Sequence, residues 1–444
     1  MIDKIKEANK RLNAALSYVE HDVVSGDLPL SGWSVALKDN FNMSGTITTA
    51  SSNLLSNYKS IYNATTVDKL IEAGSQILVK TSMDELGMGG TNRNAATGPV
   101  LNPYCEGCIS GGSSGGSASL AGANLVRLSM GSDTGDSIRK PASYCGVVGV
   151  KPSYGRISRY GVIPYAASLD HVGYFTQNVK DAAIALEVLA GYDANDMTSI
   201  DAPVEKYSEL LDLDLKGKRM GVFKNVVDAI DNADTLNSFN NLLTALESKG
   251  AEIVYKEMQS DLAKTMLPTY VVIANVEAST HHASLDGVRF GKAVEGKSLE
   301  ELMIQTRSQG FSSLVKERLI YGQYALEGDH KITVYQKAKK VRRLLVDAYK
   351  EMLSDVDVML APATPQGAPS VDDLSFDIES DKFLIGDNHM VINNFTGYPS
   401  MTLPMSKVDG LPVGVNVSTK YLEEAKLFSY ANAFEAILDW KGDF

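Results

Sequence analysis

The 444 residues hold only three cysteines and six histidines, lack any long apolar run, and carry no excess of basic charge. Each scarcity closes a class of protein. Three cysteines cannot staple a small secreted scaffold. Cys105 and Cys108 have metal or redox spacing, but no second pair or histidine cluster completes a zinc set. With Cys145 they are expected as free thiols in a reducing cytosol, and no metal site is expected. No window approaches a membrane span. The N-terminal stretch MIDKIKEANKRLNAALSYVE sets Ile5, Leu12, Leu16 and Val19 on one helical face with charges between them. It predicts an amphipathic helix over about 1–24, not the apolar core of a signal peptide, so a cytoplasmic chain without membrane contact is expected. Lys and Arg number 42 against 54 Asp and Glu, a net charge of −12, which argues against a chain that grips nucleic acid by itself.

What is present is ordinary globular composition, 44% hydrophobic and 22% charged, on a chain long enough for a large core. WSVALKDN alternates and then stops at a charged turn, predicting a strand that ends near Lys38. TTVDKLIEAGSQILVKT reads as a helix, a stop at Gly74 and a strand ending near Lys80. A long Gly/Asn-rich loop over 84–116 precedes a helix over 117–125, a strand over 126–131 and a helix beginning at Ser137. Residues 217–257 repeat the strand–helix–strand pattern, and VDVMLAPATP, YPSMTLPM and GLPVGVNV predict further strands. There is no internal repeat or low-complexity tract, so one α/β unit with long functional loops is expected over 1–444.

Two Ser/Gly turns carry the chemistry. GGSSGGSAS has no lysine where a phosphate loop needs one, and the dinucleotide-binding glycine spacing is also missing, so no nucleotide cofactor is expected in this chain. SDTGDSIR follows a strand, turns tightly and presents Ser137, a candidate nucleophile. Backbone N–H groups over Thr134, Gly135, Asp136 and Ser137 would suit a developing oxyanion. A serine needs a base. His171 is the histidine nearest in sequence, and Lys38 is the alternative, since Ser–Lys variants of the triad exist. Lys38 would have to be buried and neutral; it could instead ion-pair with a carboxylate such as Asp39.

VALKDN, GGSSGGSAS and GSDTGDSIRKPAS together resemble the amidase signature family, with the signature region over about 75–175. The resemblance implies a mixed β-sheet covered on both faces by helices. It implies Lys38 as base, Ser113, after a cis peptide, as bridging serine, and Ser137 as nucleophile. KTSMDELGMGGTNRNAATGPVLNPY, EASTHHASLDGVRFG and NNFTGYPSMTLPM extend the likeness to the glutaminase subunits of tRNA-dependent amidotransferases. That likeness implies Arg318 at the carboxylate of a bound glutamine, Asp387 at its ammonium and Tyr270 lining the pocket. It also implies partner B and C subunits in a heterotrimer, with ATP and Mg on the partner and misacylated tRNA reached through the complex. A stand-alone amidase and a silent scaffold remain alternatives. Two positions depart from the family: Gly135-Asp136-Ser137 stands where Gly-Gly-Ser is usual, and Cys108-Ile109-Ser110 replaces a frequent proline.

Overall fold

The computed structural model describes residues 1–372, 377–438 and 440. Among the described residues eleven strands form one mixed sheet. In chain order they are β1 (Ala15–Tyr18), β2 (Ser34–Lys38), β3 (Gln76–Thr81), β4 (Leu128–Asp133), β5 (Val148–Lys151), β6 (His171–Thr176), β7 (Arg219–Phe223), β8 (Glu252–Lys256), β9 (Val358–Pro362), β10 (Ser400–Val408) and β11 (Leu411–Ser418). Their spatial order is β1-β3-β2-β4-β6-β5-β10-β11-β9-β7-β8. β3, β2 and β4 run parallel, as do β8, β7 and β9, and antiparallel pairings join the two groups.

Period two sorts the strands onto two faces. Val35, Leu37, Leu128, Met130, Val148, Val150, Met401 and Leu403 point to a core closed by helices Thr65–Glu72, Val179–Leu189, Ala233–Ser248 and Glu424–Leu438. Ala36 points the other way and packs with Leu120 of helix Gly115–Gly122. By the same alternation Lys38 lies under the turn that opens that helix. Further along this face, Met359 and Ala361 pack with helices Met266–His281 and Lys337–Met352.

Local chemistry sets the helix ends. Asn178 and Asn232 accept the N–H groups of Asp181 and Thr235, satisfying donors that a helix start leaves open. Gly74, at φ +84, lets the chain leave helix Thr65–Glu72 and enter β3. The expected N-terminal helix stops at Leu12, because Asn13 takes a left-handed conformation (φ 50) and Ala15–Tyr18 pairs with β3 as an edge strand. Leu16 and Val19 therefore belong to the sheet region, a correction to the helical reading over 1–24. The helix expected from Ser137 begins at Arg139, since Ile138 N–H is capped by Asp133 and the chain turns through 134–138 first. Cys105 and Cys108 are joined by a disulfide, not free: Cys108 N–H donates to Cys105 O across a turn that Gly107 allows with φ +88. Cys145 is free and buried.

One buried ion pair locks the turn after β4. Arg139 meets both Asp133 oxygens, at 2.8 and 3.1 Å, with both side chains fully excluded from solvent. The same guanidinium donates to Gly135 O, Asn394 Oδ1 and Met390 O, so it ties the turn to helix Val391–Thr396. Arg139→Met should therefore destabilise the protein by about 3–5 kcal/mol, because it leaves Asp133 charged, buried and unpaired. Chemical denaturation checks this; a loss below about 1 kcal/mol would show that the pair does not hold the turn.

Candidate active site

The C-terminal ends of parallel β2 and β4 lie side by side, Leu37 opposite Met130, so Lys38 emerges beside the turn that carries Ser137. Open α/β sheets place their sites at such ends. Lys38 is wholly buried. Its Nζ lies within hydrogen-bond distance of Ser113 Oγ and Ser114 Oγ, each at 2.8 Å, of Ser132 Oγ at 2.9 Å and of Ser132 O at 3.2 Å. No carboxylate lies within ion-pair distance of it among the described residues. Asp39 is taken by Lys80 at 2.9 Å, which removes the ion-pair alternative for Lys38. Burial lowers the Lys38 amine to about 7, although Asp84, Asp133 and Asp170 pull it back upward.

The Gly112–Ser113 peptide is cis. A Cβ on Gly112 would collide with the Asp84 carboxylate, so only glycine fits there. Asp84 in turn accepts the Asn92 and Asn94 N–H groups and donates its own N–H to Ser113 O. Much of the predicted loop over 84–116 is thus a buried, hydrogen-bonded wall. Ser137 is held beside this turn because its carbonyl accepts Ser114 N–H at 3.2 Å. The Ser137 hydroxyl itself makes no hydrogen bond among the described residues. The N–H groups of Gly135, Asp136 and Ser137 likewise find no acceptor among them, while the Thr134 hydroxyl donates to Asp170 at 2.7 Å.

His171 does not serve either serine. Its Nδ1 lies 2.7 Å from Leu169 O, and burial holds the ring well below its ordinary pKa. No hydrogen bond joins His171 to Ser113 or Ser137 among the described residues, and its Nε2 is buried without a partner, so nothing supports a Ser–His arrangement.

Arg318, Asp387 and Tyr270 line one cavity of about 520 Å³ together with Gly135, Asp136 and Lys140. Arg318 donates to Tyr165 Oη at 3.0 Å and has no carboxylate within 4 Å among the described residues. A partly buried guanidinium without a counter-ion suits an anionic ligand. Tyr270 packs over the turn that carries Ser137, where a Cβ on Gly135 would meet its ring at 3.0 Å. Lys140 reaches Asp136 at 2.8 Å and Asp387 at 3.4 Å. Asp136 therefore spends its carboxylate on Lys140.

The sequence reading does not single out Ser132 or Lys140. Ser132 lies in the same strand end as the turn, and Lys140 stands four residues after Asp136, a spacing that signals a helical ion pair. Among the described residues no group of three His, Cys, Asp or Glu side chains forms a metal site. No helix among them is long and apolar enough to cross a membrane.

A buried lysine bridged to a serine, beside a second serine with open backbone donors, is the equipment of a serine amidase. The family model described as Amidase matches residues 2–428, and the chain belongs to that family. Its relatives are narrower in kind. It is 42% identical to the A subunit of Glutamyl-tRNA(Gln) amidotransferase from Koribacter versatilis, over 93% of this chain and 86% of the relative. It is 41% identical to the protein of the same name from Prochlorococcus marinus, over 98% and 92%. The crystal structure of the corresponding A subunit from Thermotoga maritima superposes with a TM-score of 0.83 at 33% identity, covering 98% of this chain and 89% of that one.

The lowered lysine fixes a pH dependence. A lysine acting as base must be neutral, so Lys38 in that role makes amide hydrolysis rise with pH through about 7 and level off above it. A profile still climbing beyond about pH 9, measured where chemistry limits the rate, would mean that Lys38 keeps an ordinary lysine pKa. Lys38→Arg should not restore the activity lost in Lys38→Ala, because a guanidinium does not deprotonate.

Proposed function

We propose that this chain, as one amidase domain over 1–444, is the glutamine-hydrolysing subunit of a tRNA-dependent amidotransferase. The observation that carries the reading is the cavity beside Ser137: an unpaired Arg318 and an Asp387 carboxylate, matched to the two charged ends of an amino acid. A neutral amide needs neither group, so this pairing favours glutamine over a stand-alone amidase's substrate.

In this reading Ser137 Oγ attacks the side-chain amide carbon. Its proton passes through Ser113 to neutral Lys38, and the Thr134, Gly135, Asp136 and Ser137 N–H groups take the oxyanion, with the Thr134 hydroxyl holding the turn through Asp170. The C–N bond breaks as the relay returns the proton to nitrogen, releasing ammonia and leaving a glutamyl ester on Ser137. Water, deprotonated by the same relay, cleaves the ester to glutamate and restores the serine. Tyr270 closes the pocket wall. Ammonia then passes to a partner that converts Glu-tRNA(Gln) to Gln-tRNA(Gln), in a cytoplasmic heterotrimer with B and C subunits. ATP and Mg belong to that partner, and this chain needs no cofactor of its own. The silent-scaffold alternative rests on Asp136, and the Asp136–Lys140 pairing at 2.8 Å speaks against it by occupying that carboxylate.

Arg318→Ala and Asp387→Ala should each lower kcat/KM for glutamine by about thirtyfold or more, and far less for an uncharged primary amide. Equal losses on both substrates would assign these residues to the fold. In the assembled complex, Ser137→Ala should abolish amidation from glutamine and preserve amidation from free ammonium, since only the ammonia source is lost. Failure with ammonium in an assembled mutant complex would overturn the two-site scheme.

A further inference from the structure

Asp136 poses a problem of charge. It follows Gly135 and precedes the nucleophile, so an unpaired carboxylate there would oppose the negative charge that develops on the substrate oxygen. The structure answers with Lys140, one helical turn on, at 2.8 Å from Asp136 Oδ2. The side chains of Lys140, Asp136 and Asp387 are 7%, 12% and 17% exposed, so the charges act on one another with little screening. Lys140 also lies 3.4 Å from Asp387 Oδ2, on the wall of the cavity that Arg318 lines. One ammonium is therefore shared unequally between two carboxylates.

We propose that Asp136 and Lys140 act as a coupled charge pair for substrate selection: Asp136 draws Lys140 toward itself, at 2.8 Å against 3.4 Å, so that Asp387 keeps charge for the substrate's α-ammonium. This rests on the glutamine-hydrolysing reading of the same cavity. The charge count supports it. Asp136, Asp387 and Lys140 sum to one negative charge, and Arg318 adds one positive charge, so the cavity is neutral overall but polarised. A zwitterion fits that polarity with both ends paired. Remove Asp136 alone and Lys140 belongs wholly to Asp387, which cancels the negative end. Remove Lys140 alone and two uncompensated carboxylates face each other across the nucleophile turn. Remove both and the single negative charge of Asp387 returns. The sequence spacing is part of the device, since an acid four residues before a lysine is the favourable order on a helical turn.

A double-mutant cycle tests it, using the full-length chain assembled with its partner subunits and assayed on glutamine and on butyramide, an uncharged primary amide. Asp136→Gly introduces the residue usual in the family at that turn. It keeps the backbone N–H and should raise KM for glutamine about tenfold more than KM for butyramide. Lys140→Gln should lower kcat on both substrates by about tenfold, because Asp136 is then unpaired beside the oxyanion. The double variant should return both parameters to within about threefold of the parent, which a merely structural role would not produce. Losses that add in the double variant, or an Asp136→Gly defect equal on both substrates, would overturn the proposal. If Lys140→Gln does not fold, the selectivity of Asp136→Gly decides alone. A parent complex that does not hydrolyse glutamine defeats the proposed function and this inference together. A parent that does, with additive losses, defeats this inference only.

Discussion

The site depends on keeping the Lys38 amine out of water with no carboxylate to pair it. Burial of an ammonium is costly, and the usual remedy is an ion pair, which would hold the amine protonated. The protein gives the amine three serine hydroxyls and one carbonyl instead. Hydroxyls satisfy its hydrogen bonds without fixing its charge. The nearest carboxylates are all occupied: Asp39 by Lys80, Asp133 by Arg139, Asp84 by backbone N–H groups and Asp170 by Thr134 and the backbone at 165–166.

The surrounding architecture follows from that demand. The serine partners come from two segments, the turn before helix Gly115–Gly122 and the end of β4, and both must hold position to within a hydrogen bond. Asp84 fixes the first through the wall over 84–94, wedged against Gly112. The Asp133–Arg139 pair fixes the second and anchors it to Val391–Thr396, a helix remote in sequence. Such a pair contributes little net stability, yet breaking it is expensive, and that asymmetry suits a fixed turn. The cavity beside them borrows its walls from helices that pack over the same face, which is how Arg318 and Tyr270 reach a site built on residues 38–139.

Legibility in the sequence tracked the range of the interaction. Strands ending at Lys38 and near Lys80, the Gly74 stop and the 217–257 strand–helix–strand unit were readable, because alternation, helical period and turn residues are local signals. The N-terminal segment misled because Leu12, Leu16 and Val19 satisfy a helical period while Asn13 breaks the helix and β3 offers a strand partner. The start of the helix after Ser137 was misplaced by two residues, since the Asp133 side chain, and not the serine, caps Ile138. The Cys105–Cys108 pairing was missed because composition speaks to environment, whereas a four-residue turn decides which sulfurs meet.

The sequence by itself determined the α/β class, the two Ser/Gly turns and, through three spaced motifs, the identity of Lys38, Ser113 and Ser137 as candidates. It could not decide whether Lys38 faced Asp39 or the serines, whether His171 was a base or a buried ring, or where the Asp136 carboxylate pointed. Those are questions of direction and charge balance among residues remote in the chain, as Arg139 and Met390 are, 251 positions apart. A pKa, an ion pair or a ligand pocket exists only once folding excludes water and assigns each charge a neighbour.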